Sequence, residues 1–204
     1  MSTVTISDTP FVGNDRLLVG IVLSVLTFWL FAQSVINVVP AMKSSLDISL
    51  ETLTLAVSLS ALFSGCFVVA SGGLADKFGR MRMTTLGLGL SIVGSAMLVV
   101  AQGPGLFLAG RVLQGLSAAC IMPATLALIK TWYEGRARQR AVSFWVIGSW
   151  GGSGLCSFVG GAIATGLGWR WIFVFSIAVA LLALFLLRGT PESRSASQHK
   201  LEDR

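Results

Sequence analysis

Arg111 stands alone between two uncharged stretches, residues 83–110 and 112–129, and is the strongest candidate for chemistry in this sequence. A guanidinium so far from other charges needs water or hydrogen-bond acceptors around it, because an unpaired buried charge is strongly destabilising. At helical spacing, Gln114, Gly115 and Ala118 fall on its face. Small residues there let a second helix come close to a polar stripe. The expectation is that Arg111, Gln114 and Ser117 line a water-filled cavity. The alternative is that Arg111 snorkels along its own stem to a nearby polar surface. Gln33 and Asn37, four apart, form a second polar pair that either faces a cavity or makes ordinary interhelical hydrogen bonds.

A denser cluster is Gly72-Gly73-Leu74-Ala75-Asp76-Lys77-Phe78-Gly79-Arg80-Met81-Arg82. Glycine permits a sharp reversal there, and Asp76 precedes Lys77, Arg80 and Arg82. An acid near a helix C-terminus opposes the helix dipole, so Asp76 is expected to have another partner. Further on, Gly148, Gly152, Cys156, Gly160 and Ala164 recur every fourth residue, with Ser149, Ser153, Ser157 and Gly161 on the adjacent ridge. That double ladder is a helix-packing face.

The rest of the polar inventory argues against an enzyme. There is one histidine, His199, in a polar tail, and no paired acids or Ser/His dyad within the apolar stretches. Cys66, Cys120 and Cys156 lack metal-ligand spacing, so neither a metal nor another cofactor is expected. The nine acids all lie outside the apolar runs, Glu51 and Asp76 at their edges. Arginine stays protonated and cannot carry a proton in and out, so no proton carrier is evident in these stretches.

The elements that must position these residues follow from the charge pattern. Hydrophobic residues are 54% of the chain and charged ones 12%, with mean hydropathy +0.80; soluble domains are typically about 25% charged. Six uncharged stretches, 17–42, 52–75, 83–110, 112–129, 141–169 and 171–187, are each about as long as a helix that crosses hydrocarbon. They are continuously apolar rather than alternating, which excludes barrel strands. The fold class is therefore an all-α integral membrane protein, a six-transmembrane-helix bundle of three plus three inverted helices.

The expected organisation is a tail over 1–16, a membrane domain over 17–188 and a polar tail over 189–204. Helix 1 is expected to end at Pro40, helix 2 at Gly72 and helix 4 at Ile129, with cytoplasmic loops over 73–83 and 130–140. Twelve of the fifteen Lys and Arg then lie on one side, against Lys43 and Arg170 on the other. The positive-inside rule places both termini in the cytoplasm of an inner, or plasma, membrane. The net charge of +6 is thus explained by sidedness, and a nucleic-acid partner is not expected.

With those residues in view, the 72–82 loop resembles the signature loop of the major facilitator superfamily, Gly-x-Leu-Ala-Asp-Arg/Lys-x-Gly-Arg-x-Arg. The resemblance implies a cytoplasmic gating latch made of Gly72, Asp76, Lys77, Gly79, Arg80 and Arg82. It implies that Asp76 reaches a helix N-terminus and an arginine of the other transporter half, braced by Arg80. Arg111-Val112-Leu113-Gln114-Gly115 looks like a second signature, Arg-x-x-Gln-Gly, whose arginine is tied to proton transfer. Gly152, Gly160 and Gly161 overlay the antiporter signature Gly-x-x-x-Gly-Pro-x-x-Gly-Gly, but Cys156-Ser157 replaces Gly-Pro, so the proline kink is missing. The helix 1 acid common in fourteen-helix drug:proton antiporters is also missing, although Asn37 is present.

The runs Phe28–Ser34 and Gly115–Thr125, and Trp169-Arg170-Trp171-Ile172-Phe173, are similar to the Nor-type quinolone efflux pumps of that group. The resemblance implies multidrug export by proton antiport, with quinolones as candidate cargo and this chain the N-terminal six-helix half. Its partners would be the lipid bilayer, a small hydrophobic or amphipathic drug, protons, and either a missing C-terminal half or a second copy of itself. The alternatives are a half-size subunit working as a dimer and a non-transporting membrane assembly protein.

Overall fold

A computed structural model describes residues 11–194, apart from the side chains of Gln33 and Ser34. The outer parts of both expected tails, with His199, lie outside the described residues. Within them the chain forms α1 (Asp15–Leu46), α2 (Leu50–Phe78), α3 (Arg80–Val100), α4 (Pro104–Trp132), α5 (Gly135–Val146), a π-helical turn (Ile147–Gly151), α6 (Gly152–Gly166) and α7 (Arg170–Leu187). With α5, the π turn and α6 taken as one span, six helices are long and apolar enough to cross a membrane.

Helix starts follow local chemistry. The Asn14 side chain accepts from the Leu17 N–H at 2.8 Å, and Ser49 Oγ accepts from the Thr52 N–H at 3.2 Å. Pro104 opens α4, where its missing N–H costs nothing. The chain entry is pinned to the end of α4: Gly13 N–H donates to the Trp132 carbonyl, and the Tyr133 hydroxyl to the Asn14 carbonyl at 2.6 Å. Burial first, then the Asp15 carboxylate, push that phenol up to about 12.

The helices run further than the charge pattern suggested. α1 continues through Pro40 to Leu46, because a proline inside a packed span removes one hydrogen bond without forcing the helix to stop. The expected 73–83 loop is almost all helix: Gly79 alone (φ +121) separates α2 from α3. The expected 130–140 loop shrinks to Tyr133 and Glu134. Charged residues mark where a helix leaves the hydrocarbon, not where it ends.

α4 packs against α2 and α3, α1 against α7 and α6, and α3 against α7. One apolar cluster gathers Phe31, Met42, Leu98, Phe107, Trp169 and Phe173; another gathers Leu17, Ile21, Leu88, Ile121, Leu128 and Leu187. Among the described residues Arg111 is the only charged side chain that is buried.

Candidate functional site

Arg111 is 0% exposed. Its Nη1 donates to the Phe31 carbonyl of α1 and to Gln114 Oε1, both at 2.9 Å. Its Nε donates to the Ala56 carbonyl at 3.2 Å and its Nη2 to Ser60 Oγ at 2.7 Å, both on α2. Gln114 is also fully buried and donates through Nε2 to Ser95 Oγ of α3 at 3.2 Å. One i,i+3 pair on α4 therefore ties α1, α2 and α3 together.

Gly115 completes the arrangement. A Cβ on it would lie 2.4 Å from the Ser60 carbonyl oxygen, so only glycine lets α4 come this close to α2. Among the described residues Arg111 and Gln114 are fully buried and meet protein groups where a water-filled cavity was expected, and the guanidinium does not snorkel to a polar surface. The guanidinium is solvated by two backbone carbonyls, one amide oxygen and one hydroxyl, as a cation in a low-dielectric interior requires.

The pair from α1 divides. Asn37 is exposed, and its Nδ2 donates to Ser157 Oγ of α6. It lines a groove of about 320 Å³ with Pro40, Gly161 and Thr165, and so joins neither Arg111 nor Gln114. The Gln33 side chain lies outside the described residues.

At the opposite end of α2, Asp76 Oδ1 accepts from Arg80 Nη2 at 2.8 Å and Nε at 3.2 Å. Arg80 Nη1 donates to Thr131 Oγ1 and so joins the start of α3 to the end of α4. The Asp76 side chain stays 49% exposed, which leaves it accessible to a facing group. Lys77 lies over the Phe78 ring at 5.6 Å. Gly72 packs loosely near Pro123 of α4.

Gly79 serves two needs, the left-handed backbone of the α2–α3 junction and room for Glu192. A Cβ there would meet Glu192 Cδ at 2.4 Å. Glu192 caps α3 from outside: Oε1 accepts from the Met81 N–H at 2.9 Å and Oε2 from the Arg82 N–H at 3.0 Å. Arg82 Nε lies 3.8 Å from Oε2, and the Arg80 N–H donates to the Ser193 carbonyl at 3.0 Å. Sequence reasoning placed Glu192 in a featureless tail. Its signal was that no other acid occurs between Glu134 and Glu202.

On the fifth span, Gly148, Gly152, Cys156 and Gly160 are buried. A Cβ on Gly148 would lie 3.3 Å from Val22, and one on Gly152 2.8 Å from Leu26 and 3.0 Å from Trp29. Cys156 Sγ donates to the Leu26 carbonyl at 3.8 Å. This ridge is the α1 contact. Gly161, on the other ridge, has nothing within 4 Å of its Cβ position. The π turn over Ile147–Gly151 was not foreseen. It ends at Gly151, next to the start of the stretch that overlays the antiporter pattern and six residues before Ser157, where that pattern has its proline; π turns bend helices without one.

The comparisons with known proteins agree with this architecture. The chain is 60% identical over 191 residues to the quinolone resistance protein NorB of Staphylococcus aureus strain Newman, covering 94% of this chain and 41% of the relative. The chain thus spans less than half the length of that protein. Its fold matches a D-xylose-proton symporter with TM-score 0.75 at 18% identity, over 93% of this chain and 52% of the other. A peptide transporter in complex with sulfate matches with TM-score 0.75 at 18% identity, over 86% and 37%. The family model of the Major Facilitator Superfamily covers residues 17–203. Six apolar helices in this arrangement, with that match along nearly the whole chain, make it a multi-pass membrane protein belonging to the Major Facilitator Superfamily.

Proposed function

We propose that this chain forms one six-helix half of a multidrug exporter that works by proton antiport, with quinolones among its cargo. The observation that carries the reading is the 60% identity to a quinolone resistance protein over 94% of the chain. In this reading the protein lies in the plasma membrane with both termini in the cytoplasm, and residues 17–188 are the membrane domain.

Alternating access requires two bundles that rock about a site between them. The ties from Arg111 and Gln114 to α1, α2 and α3 suit a bundle that moves as one body. The Asp76–Arg80 pair lies at the edge of that body, with its carboxylate half exposed, and serves as the latch to the facing half. Lys77, Gly79 and Arg82 shape the same edge, and Glu192 holds it to the end of α7. Arg111 supports coupling by fixing helix positions and carries no proton itself. The proton carrier is then an acid on the other half, or Asp76 or Glu51 at the rim.

Glycines whose Cβ position would meet nothing in this bundle, Gly65 and Gly73 on α2 and Gly154 and Gly161 on α6, suit docking of further helices. They equally suit the alternative of two copies pairing as a half-size transporter. The test is extrusion of a fluorescent quinolone from everted vesicles, using this chain alone and this chain joined to the remaining helices of its relative. Gradient-dependent extrusion only by the joined protein is expected. Extrusion by the single chain would establish the paired reading, and none by either would leave an assembly role.

A further inference from the structure

A groove of about 490 Å³ opens between α3 and the end of α7, and neither Arg111 nor Asp76 lines it. Met81, Leu181 and Leu184 form an apolar wall, while Thr85, Thr190 and Arg188 line its polar parts. Leu181 is 54% exposed, so the wall opens outward from the bundle. Arg188 is the first residue after α7, at the level where hydrocarbon gives way to headgroups.

Its chemistry there is unspent. Among the described residues the Arg188 side chain has no hydrogen bond, ion pair or ring contact, unlike its neighbours. Arg80 is paired with Asp76, Arg82 lies beside Glu192, and Arg140 beside Asp15. The nearest tail acid, Glu192, is occupied by the Met81 and Arg82 N–H groups. Arg16 places a second cation against Phe185, a lining residue, with its guanidinium 5.4 Å from the ring centre and donating to the Phe185 carbonyl. In the proposed membrane orientation this wall lies against lipid, and a cation without a partner among the described residues, at headgroup level, selects the anionic kind.

We infer that the α3–α7 groove is a binding site for one anionic phospholipid, its acyl chain on the Met81, Leu181 and Leu184 wall and its phosphate at Arg188 and the Thr190 hydroxyl. Arg188 binds as a planar guanidinium fork, which matches the oxygens of a phosphodiester. The groove shares no lining residue with the Arg111–Gln114 network.

The test is native mass spectrometry of the full purified chain after exposure to phosphatidylglycerol, to phosphatidylcholine with the same acyl chains, or to sodium phosphate. One phosphatidylglycerol should remain bound where phosphatidylcholine and phosphate are lost. Arg188→Gln should lower its retention about fivefold, the equivalent of roughly 1 kcal/mol for one basic residue at an anionic surface. Arg136→Gln, a change at an exposed base on α5, should leave retention unchanged. Arg188 and Arg136 are both exposed, and equal melting temperatures would show that neither change alters folding. Equal retention of phosphatidylcholine would overturn the inference, as would equal losses in the two variants. Binding of phosphate in place of the lipid would overturn it too, since the apolar wall would then contribute nothing.

Discussion

α4 and α6 are both rich in glycine, and their glycines end in different environments. On α4 two of the three sit at backbone contact: a Cβ on Gly110 would lie 3.0 Å from the Gly94 carbonyl oxygen, and one on Gly115 2.4 Å from that of Ser60. On α6 the Gly152 ridge meets flexible side chains of α1, while Gly154, Gly161 and Gly166 meet nothing. Small residues on α4 close a polar interior around Arg111. Those on α6 leave half of their surface unused by this bundle. The difference teaches that small-residue spacing marks a face able to receive a helix, whereas polar groups on the same face decide how tightly it closes.

The sharpest way to break this comparison is to fill one glycine of each kind. Gly115→Leu drives a side chain into α2 backbone and should cost more than about 3 kcal/mol, above the usual overpacking range. Gly161→Leu should stay within about 0.5 kcal/mol, as an unconstrained surface change. Thermal unfolding in detergent measures both, and equal melting would remove the distinction between the two helices.

Next in size is Arg111→Lys. An ammonium on a single stem cannot reach the Phe31 and Ala56 carbonyls together, and hydrogen bonds to charged groups are worth about 1.5–3 kcal/mol each. A loss near 2 kcal/mol by the same melting assay is expected, together with lost drug extrusion in the joined transporter. Full stability and activity would mean that charge alone, and not the guanidinium fork, holds α1 and α2.

A smaller effect is expected from Gly152→Leu, about 1–3 kcal/mol, because Leu26 and Trp29 can move where α2 backbone cannot. Leu116→Ile, volume-conserving and outside both glycine faces, is the companion change and should cost less. If the two melt alike, the α1–α6 contact is looser than its geometry indicates.

The smallest change in stability is expected from Asp76→Asn. Its pair with Arg80 is half exposed, and such surface pairs contribute about 0–1 kcal/mol. Drug extrusion by the joined transporter should nevertheless be lost while its amount in the membrane stays normal. Unchanged extrusion would reduce the 72–82 segment to a helix junction with no gating role.

Much of this architecture was readable from the residues. Six uncharged stretches and the 72–82 and 111–115 patterns identify the spans and the family, and the one-sided placement of the bases carries the proposed sidedness. Helix ends were less readable, because Lys77, Lys130 and Arg136–Arg140 stay helical beyond the apolar runs. A charge tells where water begins, while backbone hydrogen bonding can continue past that point. Pro40 misled for a related reason, since one missing N–H does not outweigh the packing of α1 on both sides of it.

What the sequence determined by itself was therefore composition-driven: which segments enter the membrane, and which polar residues must find partners there. Only the tertiary structure decided who those partners are. Arg111 is solvated by the Phe31 and Ala56 carbonyls, and every residue has a carbonyl, so no side-chain pattern could announce them. Glu192 reaches α3 backbone N–H groups across more than a hundred residues of chain, and these are equally silent in sequence. Within a bilayer, hydrophobicity drives a helix in but scarcely distinguishes one apolar neighbour from another. Close approach at glycine and the demand that each buried polar group be bonded make that choice, and both are properties of helices already placed side by side.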